Sequence, residues 1–401
     1  MLVGQIFGVR RRTVGLAAAL LIAGYGAGPV GASSVPPAGA DGEPIVFMNI
    51  SSLESPQFAV PQVQVAIEAR VAVINAAGGV NGRPLEVEFC NDRFDPNEAS
   101  ACARRAAEIG AVAIVGGTTA QAATILPILQ EESIPWVGGS GTSGMVELTE
   151  PISFPIQGGS TAMLMGVGSE IVRQGATNVA VIEDDNPSSQ SGSAGAIRGI
   201  EAAGGSAVVT TAPAGTVDFT AIVATALEDD VDGVAITSTP NSAPKIILAL
   251  RQAGFEGVIG TTSSLIPESV IATLGDAANG ILLGFRMVPV TSTDNPAIVE
   301  FRDAVTALDP DVQIDELALN AWEATLFFSE VVGRLDTVDG PSIIAALENV
   351  TEPYELDVVP DYGSMAAPEE FPQAVNFVAV IGVVTDGQIV QETDFINPME
   401  P

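Results

Sequence analysis

The sequence predicts an α/β chain made of two doubly wound, Rossmann-like lobes. Three observations carry that prediction. Short β-branched runs alternate with longer Ala-rich amphipathic runs from Pro44 onward, the joints between them are short and Gly-rich, and the alternation restarts after Phe154-Pro155-Ile156. Apolar spacing that switches between period two and period 3.6 signals parallel strands linked by crossover helices. At 401 residues the chain is too long for one ordinary core and suits two.

In the first half, 45–50 reads as a strand, 57–77 mostly as a helix and 85–89 as a strand. A helix follows over 97–109, where Ala99, Cys102, Ala103, Ala106 and Ala107 share one face. A strand at 112–116, a helix at 120–131 and a short strand at 135–137 complete the half. The second half reads as helix 161–174, strand 178–183, helix 191–203 and strand 207–211. Then come helix 219–227, strand 233–237, helix 243–253 and strand 258–260. A third block supplies helices at 297–308, 317–335 and 341–347, a strand-like stretch at 374–384, a turn at Asp386-Gly387 and a last strand at 388–390. Ala76-Ala77-Gly78-Gly79 and Ala202-Ala203-Gly204-Gly205 end one helix in each half. Glycine there supplies the left-handed residue that stops a helix before the next strand.

The N-terminus reads as an address. Arg10, Arg11 and Arg12 precede an apolar run over 14–22, and Val30-Gly31-Ala32 offers a small-residue cleavage site. A basic head, a short apolar middle and a small-residue exit make a secretory signal over 1–32, cleaved near Ala32. The run is short for a bilayer span. Residues 33–43, rich in Pro, Gly and Ser, read as a flexible lead-in. The expected location is therefore secreted, periplasmic or on the cell-envelope exterior. No cysteine lies near the cleavage zone, so a lipoprotein is not expected.

The only cysteines are Cys90 and Cys102. They read either as a disulfide or as two buried thiols. An oxidising compartment favours the bridge, which by loop entropy would contribute roughly 3 kcal/mol.

Composition excludes much chemistry. No histidine occurs, which removes Ser-His-Asp and Cys-His hydrolases, His-ligated zinc and an imidazole base. The net charge of −34 opposes binding to nucleic acid or anionic lipid. Lys245, the single lysine, lacks a phosphate-loop context. Gly139-Ser140-Gly141 resembles a nucleophile elbow but has no base to activate it. Asp184-Asp185 follows a strand, where adjacent carboxylates point to opposite sides. No enzyme, metal or cofactor is expected.

In an open parallel sheet, ligands lie beyond the carboxyl ends of strands. Here those ends are turns rich in glycine and hydroxyls: 49–55, 116–120, 138–143, 184–189, 238–241 and 261–264. Hydroxyls and free amides at helix starts can hold a carboxylate or carbonyl oxygen. Each Ser or Thr can equally be only a helix cap.

Several segments resemble the type I periplasmic solute-binding proteins of ABC importers, in particular the branched-chain amino acid receptor group. They are Ile74-Asn75-Ala76-Ala77-Gly78-Gly79-Val80-Asn81-Gly82-Arg83-Pro84-Leu85, Asp92-Arg93-Phe94-Asp95-Pro96, Gly116-Gly117-Thr118-Thr119 and Thr142-Ser143. Asn178-Val179-Ala180-Val181, Val217-Asp218-Phe219-Thr220 and Gly275-Asp276-Ala277-Ala278-Asn279-Gly280 follow in family order. The resemblance implies two lobes joined by three hinge crossovers near 154–158, 283–289 and 347–354. It divides the chain into a first lobe of 44–155 and 289–350 and a second of 156–288 and 351–398. It also implies a monomeric receptor that captures a small solute and delivers it to the transmembrane subunits of an ABC permease.

The ligand-binding candidates in the first lobe are Ser52, Phe58, Thr118, Thr119, Ser140 and Thr142. Those in the second are Asn186, Ser188, Thr239 and Thr262. The family's acid for an α-amino group falls near Thr261-Thr262, where this chain has none. Its tyrosine falls at 186–188 and a further aromatic near Thr239, and both are missing. An ammonium without a counter-charge would be costly in a closed cleft. Either Glu54, Glu183 or Asp184 has taken that role, or the ligand is no simple amino acid but an amide, a urea-like molecule or an organic acid. The rival reading on the same fold is a ligand-sensing regulatory protein.

Overall fold

The computed structural model describes residues 42–228 and 230–399. The expected signal segment and most of the lead-in lie outside the described residues. Strand β1 (Ile45–Ser51) is followed by α1 (Pro61–Ala76), β2 (Leu85–Asn91), α2 (Pro96–Glu108), β3 (Ile114–Val115), α3 (Ala122–Glu132) and β4 (Trp136–Val137). Helix α4 (Met145–Thr149) and strand β5 (Ser153–Phe154) close the first half. Helix α1 starts at Pro61, not near 57, because a proline fits the first helical turn, where its missing N–H is not needed.

The second half runs α5 (Gly159–Arg173), β6 (Asn178–Asp184), α6 (Pro187–Ala202), β7 (Ser206–Ala212), α7 (Thr220–Ala226) and β8 (Gly233–Thr237). It continues with α8 (Ala243–Gln252), β9 (Val258–Thr262), α9 (Glu268–Leu274) and β10 (Ile281–Phe285). Helices α10 (Pro296–Leu308), α11 (Glu316–Gly333) and α12 (Gly340–Glu348) precede β11 (Val380–Thr385) and β12 (Gln388–Gln391).

Two sheets result. The first has the order β2-β1-β3-β4-β5, all parallel. The second has β12-β11-β10-β9-β8-β6-β7, parallel from β7 to β10, with β11 and β12 added antiparallel. In each, the second strand lies outside the first and the third to fifth run the other way. Both halves therefore have a switch point beside their first strand, where ligands bind in doubly wound sheets. The expected α/β fold of two doubly wound lobes is present.

Apolar residues cover each sheet on both faces. Helices α1, α10, α11 and α12 bury one face of the first sheet, and α2 and α3 the other. On the second sheet, α7, α8 and α9 pack opposite α5 and α6. Helix α11 approaches β3 and β4 closely because Gly116 and Gly138 take positive φ. A Cβ on Gly138 would lie 2.3 Å from Ala324 Cβ.

Cys90 on β2 and Cys102 on α2 are disulfide-bonded, with 5.7 Å between their Cα atoms. The third chain crossing lies later than 347–354. Tyr354, Val358, Val359 and Tyr362, inside the 351–398 stretch expected in the second lobe, pack in the α1–α11 core of the first sheet, and the chain joins the second sheet only at β11. The strand-like stretch at 374–384 is a strand only from Val380; Phe371, Ala374 and Phe377 instead pack with Leu148, Ala162 and Met165 between the sheets.

Candidate functional site

Loops after β4, β6, β8 and β9 and the start of α5 converge on a cleft of about 330 Å³. The first half contributes Gly141, Thr142, Ser143 and Gly144. Helix α5 contributes Ser160, Thr161, Met163 and Leu164, and α6 contributes Ser188, Ser189, Ser191 and Gly192. Thr237 and Ser238 follow from β8, and Thr262, Ser264 and Leu265 from β9. Eleven of these seventeen residues carry a hydroxyl, and none carries a charge or an aromatic ring. The cleft can hydrogen-bond a solute as donor or acceptor but offers no ionic partner.

Close packing of α5 against α6 sets the cleft's shape. Gly168 and Gly199 let the two backbones meet: a Cβ at Gly199 would sit 1.9 Å from the Met165 carbonyl oxygen, and one at Gly168 would sit 2.2 Å from that of Ala196. Asn186 caps α6, its Oδ1 accepting the Ser189 N–H at 2.9 Å.

A buried polar network holds the 138–144 loop from beneath. The Ser140 carbonyl accepts from Arg286 Nη1 at 2.7 Å and from Gln157 Nε2 at 3.0 Å. Asn320 Nδ2 donates to the Gly138 carbonyl at 3.0 Å. Glu147, fully buried, accepts the Gly141 N–H at 3.0 Å and the Ser143 N–H at 2.8 Å. Burial pushes the Glu147 carboxyl up to about 7, against the pull of those two amides and of Arg286. Arg286 also pairs with Glu316 at 3.3 Å, and Glu316 accepts the Ser263 hydroxyl at 2.5 Å. Burial raises the Glu316 carboxyl above its ordinary value, with Arg286 opposing.

Of the residues expected from sequence, Thr142, Ser188 and Thr262 line the cleft. Ser140 lies just behind it, its Oγ 3.0 Å from Thr142 Oγ1. The others do not line it. Ser52 Oγ donates to Asp92 Oδ1 at 2.6 Å, and Thr119 Oγ1 donates to Asp92 Oδ2. Thr118 is fully buried, its N–H held by Ser51 Oγ at 3.0 Å. Phe58 packs on Phe94. Asn186 and Thr239 face a separate concavity with Asp184, Asp185 and Lys245, where the Thr239 N–H donates to Asp184 Oδ2 at 2.9 Å. None of the three acids considered as replacements lines the cleft: Glu54 is exposed, Glu183 accepts from Thr211 Oγ1 at 2.8 Å, and Asp184 is turned to Thr239. Sequence reasoning missed Ser160, Thr161, Ser191 and Thr237 as lining residues, while Ser143, Ser189, Ser238 and Ser264 lie in the strand-end turns it named but were not among its candidates. Thr237 ends a recognised strand, and that position could have signalled it.

The profile of the family described as periplasmic binding protein matches residues 51–387, most of the chain. The chain belongs to the periplasmic binding protein family. This periplasmic binding protein is similar in fold to a Rhodospirillum rubrum protein provisionally named a branched-chain amino acid ABC transporter, with 21% identity and a TM-score of 0.74 over 87% of this chain and 99% of that one. It is also similar to a substrate-binding periplasmic protein of Ralstonia solanacearum, at 21% identity and TM-score 0.66, covering 87% and 100% of the two chains. A leucine-binding protein of Thermotoga maritima matches at 19% identity and TM-score 0.65, covering 88% and 99%. Among curated proteins, none matches the chain. No helix among the described residues is long and apolar enough to cross a membrane.

Proposed function

We propose that this protein is the extracytoplasmic receptor of an ABC importer. It captures a small polar solute in the hydroxyl-lined cleft and delivers it to a membrane permease. The observation that carries the reading is the convergence on one cleft of Thr142 from the first sheet's loops with Ser188, Thr237 and Thr262 from the second's. The three crossings of the chain between the sheets supply the hinge, and closure over the solute sequesters it from water. In this reading the lobes divide as the two sheets do, the protein acts as an exported monomer, and binding involves no reaction.

Small-angle scattering with and without a metabolite extract tests the proposal. Compaction with solute that Ser188→Tyr abolishes, in a variant whose thermal unfolding is unchanged, supports it. An identical profile with and without the extract contradicts it.

A further inference from the structure

We propose, resting on the receptor reading above, that the cleft takes an uncharged, hydrogen-bonding solute, an amide or a polyol, and rejects both zwitterions and organic acids. Four of the first lobe's candidate anion-holding donors are already engaged by two of the protein's own buried carboxylates. Asp92 takes the hydroxyls of Ser52 and Thr119, and Glu147 takes the amides of Gly141 and Ser143. Thr142 Oγ1 and Ser143 Oγ both donate to the Thr119 carbonyl, at 2.8 and 2.7 Å. An incoming carboxylate would therefore compete with internal acceptors for these donors.

At each helix start that faces the cleft, one amide is also engaged. Gln157 Oε1 accepts the Gly159 N–H of α5, and Asn186 Oδ1 accepts the Ser189 N–H of α6. At longer range, the net charge of −34 repels anions. An ammonium fares no better, because no carboxylate lines the cleft and Glu183 and Asp184 are turned to Thr211 and Thr239. A charged group without a partner there would give up its hydration for nothing in return.

What remains suits a neutral guest. Thr262 Oγ1 and Ser264 Oγ pair at 3.0 Å, as do Ser193 Oγ and Thr237 Oγ1 at 2.6 Å. Within the Thr262–Ser264 pair one hydroxyl proton is shared, leaving the other to donate and lone pairs to accept. Amides and polyols present both complements together. Met163, Leu164 and Leu265 provide a short apolar wall for a carbon skeleton.

The test is calorimetry on the protein stripped of solute by unfolding and refolding, at low and high sodium chloride. The probes are acetamide, urea and glycerol in one arm, acetate and succinate in a second, and leucine and glutamate in a third. Binding in the neutral arm alone, with affinity changed less than about twofold by salt and at least about fivefold weaker in Thr262→Ala, is expected. Binding of acetate, succinate, leucine or glutamate that Ser188→Tyr abolishes overturns the ligand class and leaves the receptor reading standing. Binding in any arm that Ser188→Tyr leaves intact removes the cleft, and the receptor reading with it. Silence in all three arms overturns the amide-or-polyol assignment, while scattering against the metabolite extract decides the receptor reading separately.

Discussion

Ser263, in the loop after β9, donates its hydroxyl to Glu316 at the N-terminal turn of α11, 2.5 Å away. The bond ties the second sheet to a helix that packs on the first, and Arg286 completes it by pairing with Glu316 while donating to the Ser140 carbonyl behind the cleft. These contacts form one polar chain that runs from the loop after β9 through α11 to the floor of the cleft.

Removing that tie should loosen the lobes. Ser263→Ala, which deletes one hydrogen bond to a charged acceptor, should shift the population toward open forms and weaken solute binding by roughly 1–2 kcal/mol. Scattering of the solute-free variant should show a larger radius of gyration than wild type. An unchanged radius with unchanged affinity would show that the bond does not bias closure.

The buried carboxyl of Glu323 should make stability depend on pH. Its Oε1 accepts the amides of Asp357 and Val358, its Oε2 has no partner, and burial together with the Asp357 charge pushes it up to about 7. The folded state therefore holds the proton more tightly than the unfolded chain. The stability this provides is fully present below the ordinary carboxyl value of about 4.5 and is lost as pH rises through about 7. Glu323→Gln does not titrate. It should be more stable than wild type by about 1–3 kcal/mol at pH 8 and nearly equal at pH 5, read from urea unfolding at the two pH values.

Asp92 should matter to folding, and its hydroxyl partners should not matter to binding. Asp92→Ala leaves two hydroxyls and the Phe94 amide without their acceptor and should cost about 2–4 kcal/mol of stability. Ser52→Ala should cost less, about 1–2 kcal/mol, and leave solute affinity within twofold of wild type. A large loss of affinity in Ser52→Ala would make that serine a ligand contact after all.

The α5–α6 contact admits no side chain at Gly199. Gly199→Ala drives its Cβ into the Met165 backbone and should cost roughly 2–4 kcal/mol, with weaker solute binding because Ser160 and Ser188 shift apart. Gly195, on the same helix, has only ordinary contacts around its Cβ position at 3.5 Å and beyond, so Gly195→Ala should be neutral or mildly stabilising. Thermal unfolding of the two variants separates the effects.

Much of this architecture could be read from sequence because the joints carry it. Ala-Gly-Gly ends both α1 and α6, with Gly78, Gly79 and Gly204 at positive φ, and the alternation of runs placed all the long helices. What escaped was short or uniformly apolar. Strand β10, buried at every position, reads as an apolar run without alternation, and α4 is too brief to show a period. The site was legible where a hydroxyl ends a strand, sits in the turn beyond it or opens the next helix, as with Thr262, Thr142 and Ser188. It was hidden where a distant partner claims the hydroxyl: Asp92 lies 40 residues from Ser52 and 27 from Thr119. Nothing in local spacing announces such a pairing.

The account rests on capture of a solute between the lobes by hydroxyls. Mass spectrometry of the small molecules released on denaturing the purified protein tests it most directly, wild type against Ser188→Tyr. One uncharged compound, present in near-equal amount to the protein in wild type and missing from the variant, is the expected result. Equal recovery from both proteins would contradict the account.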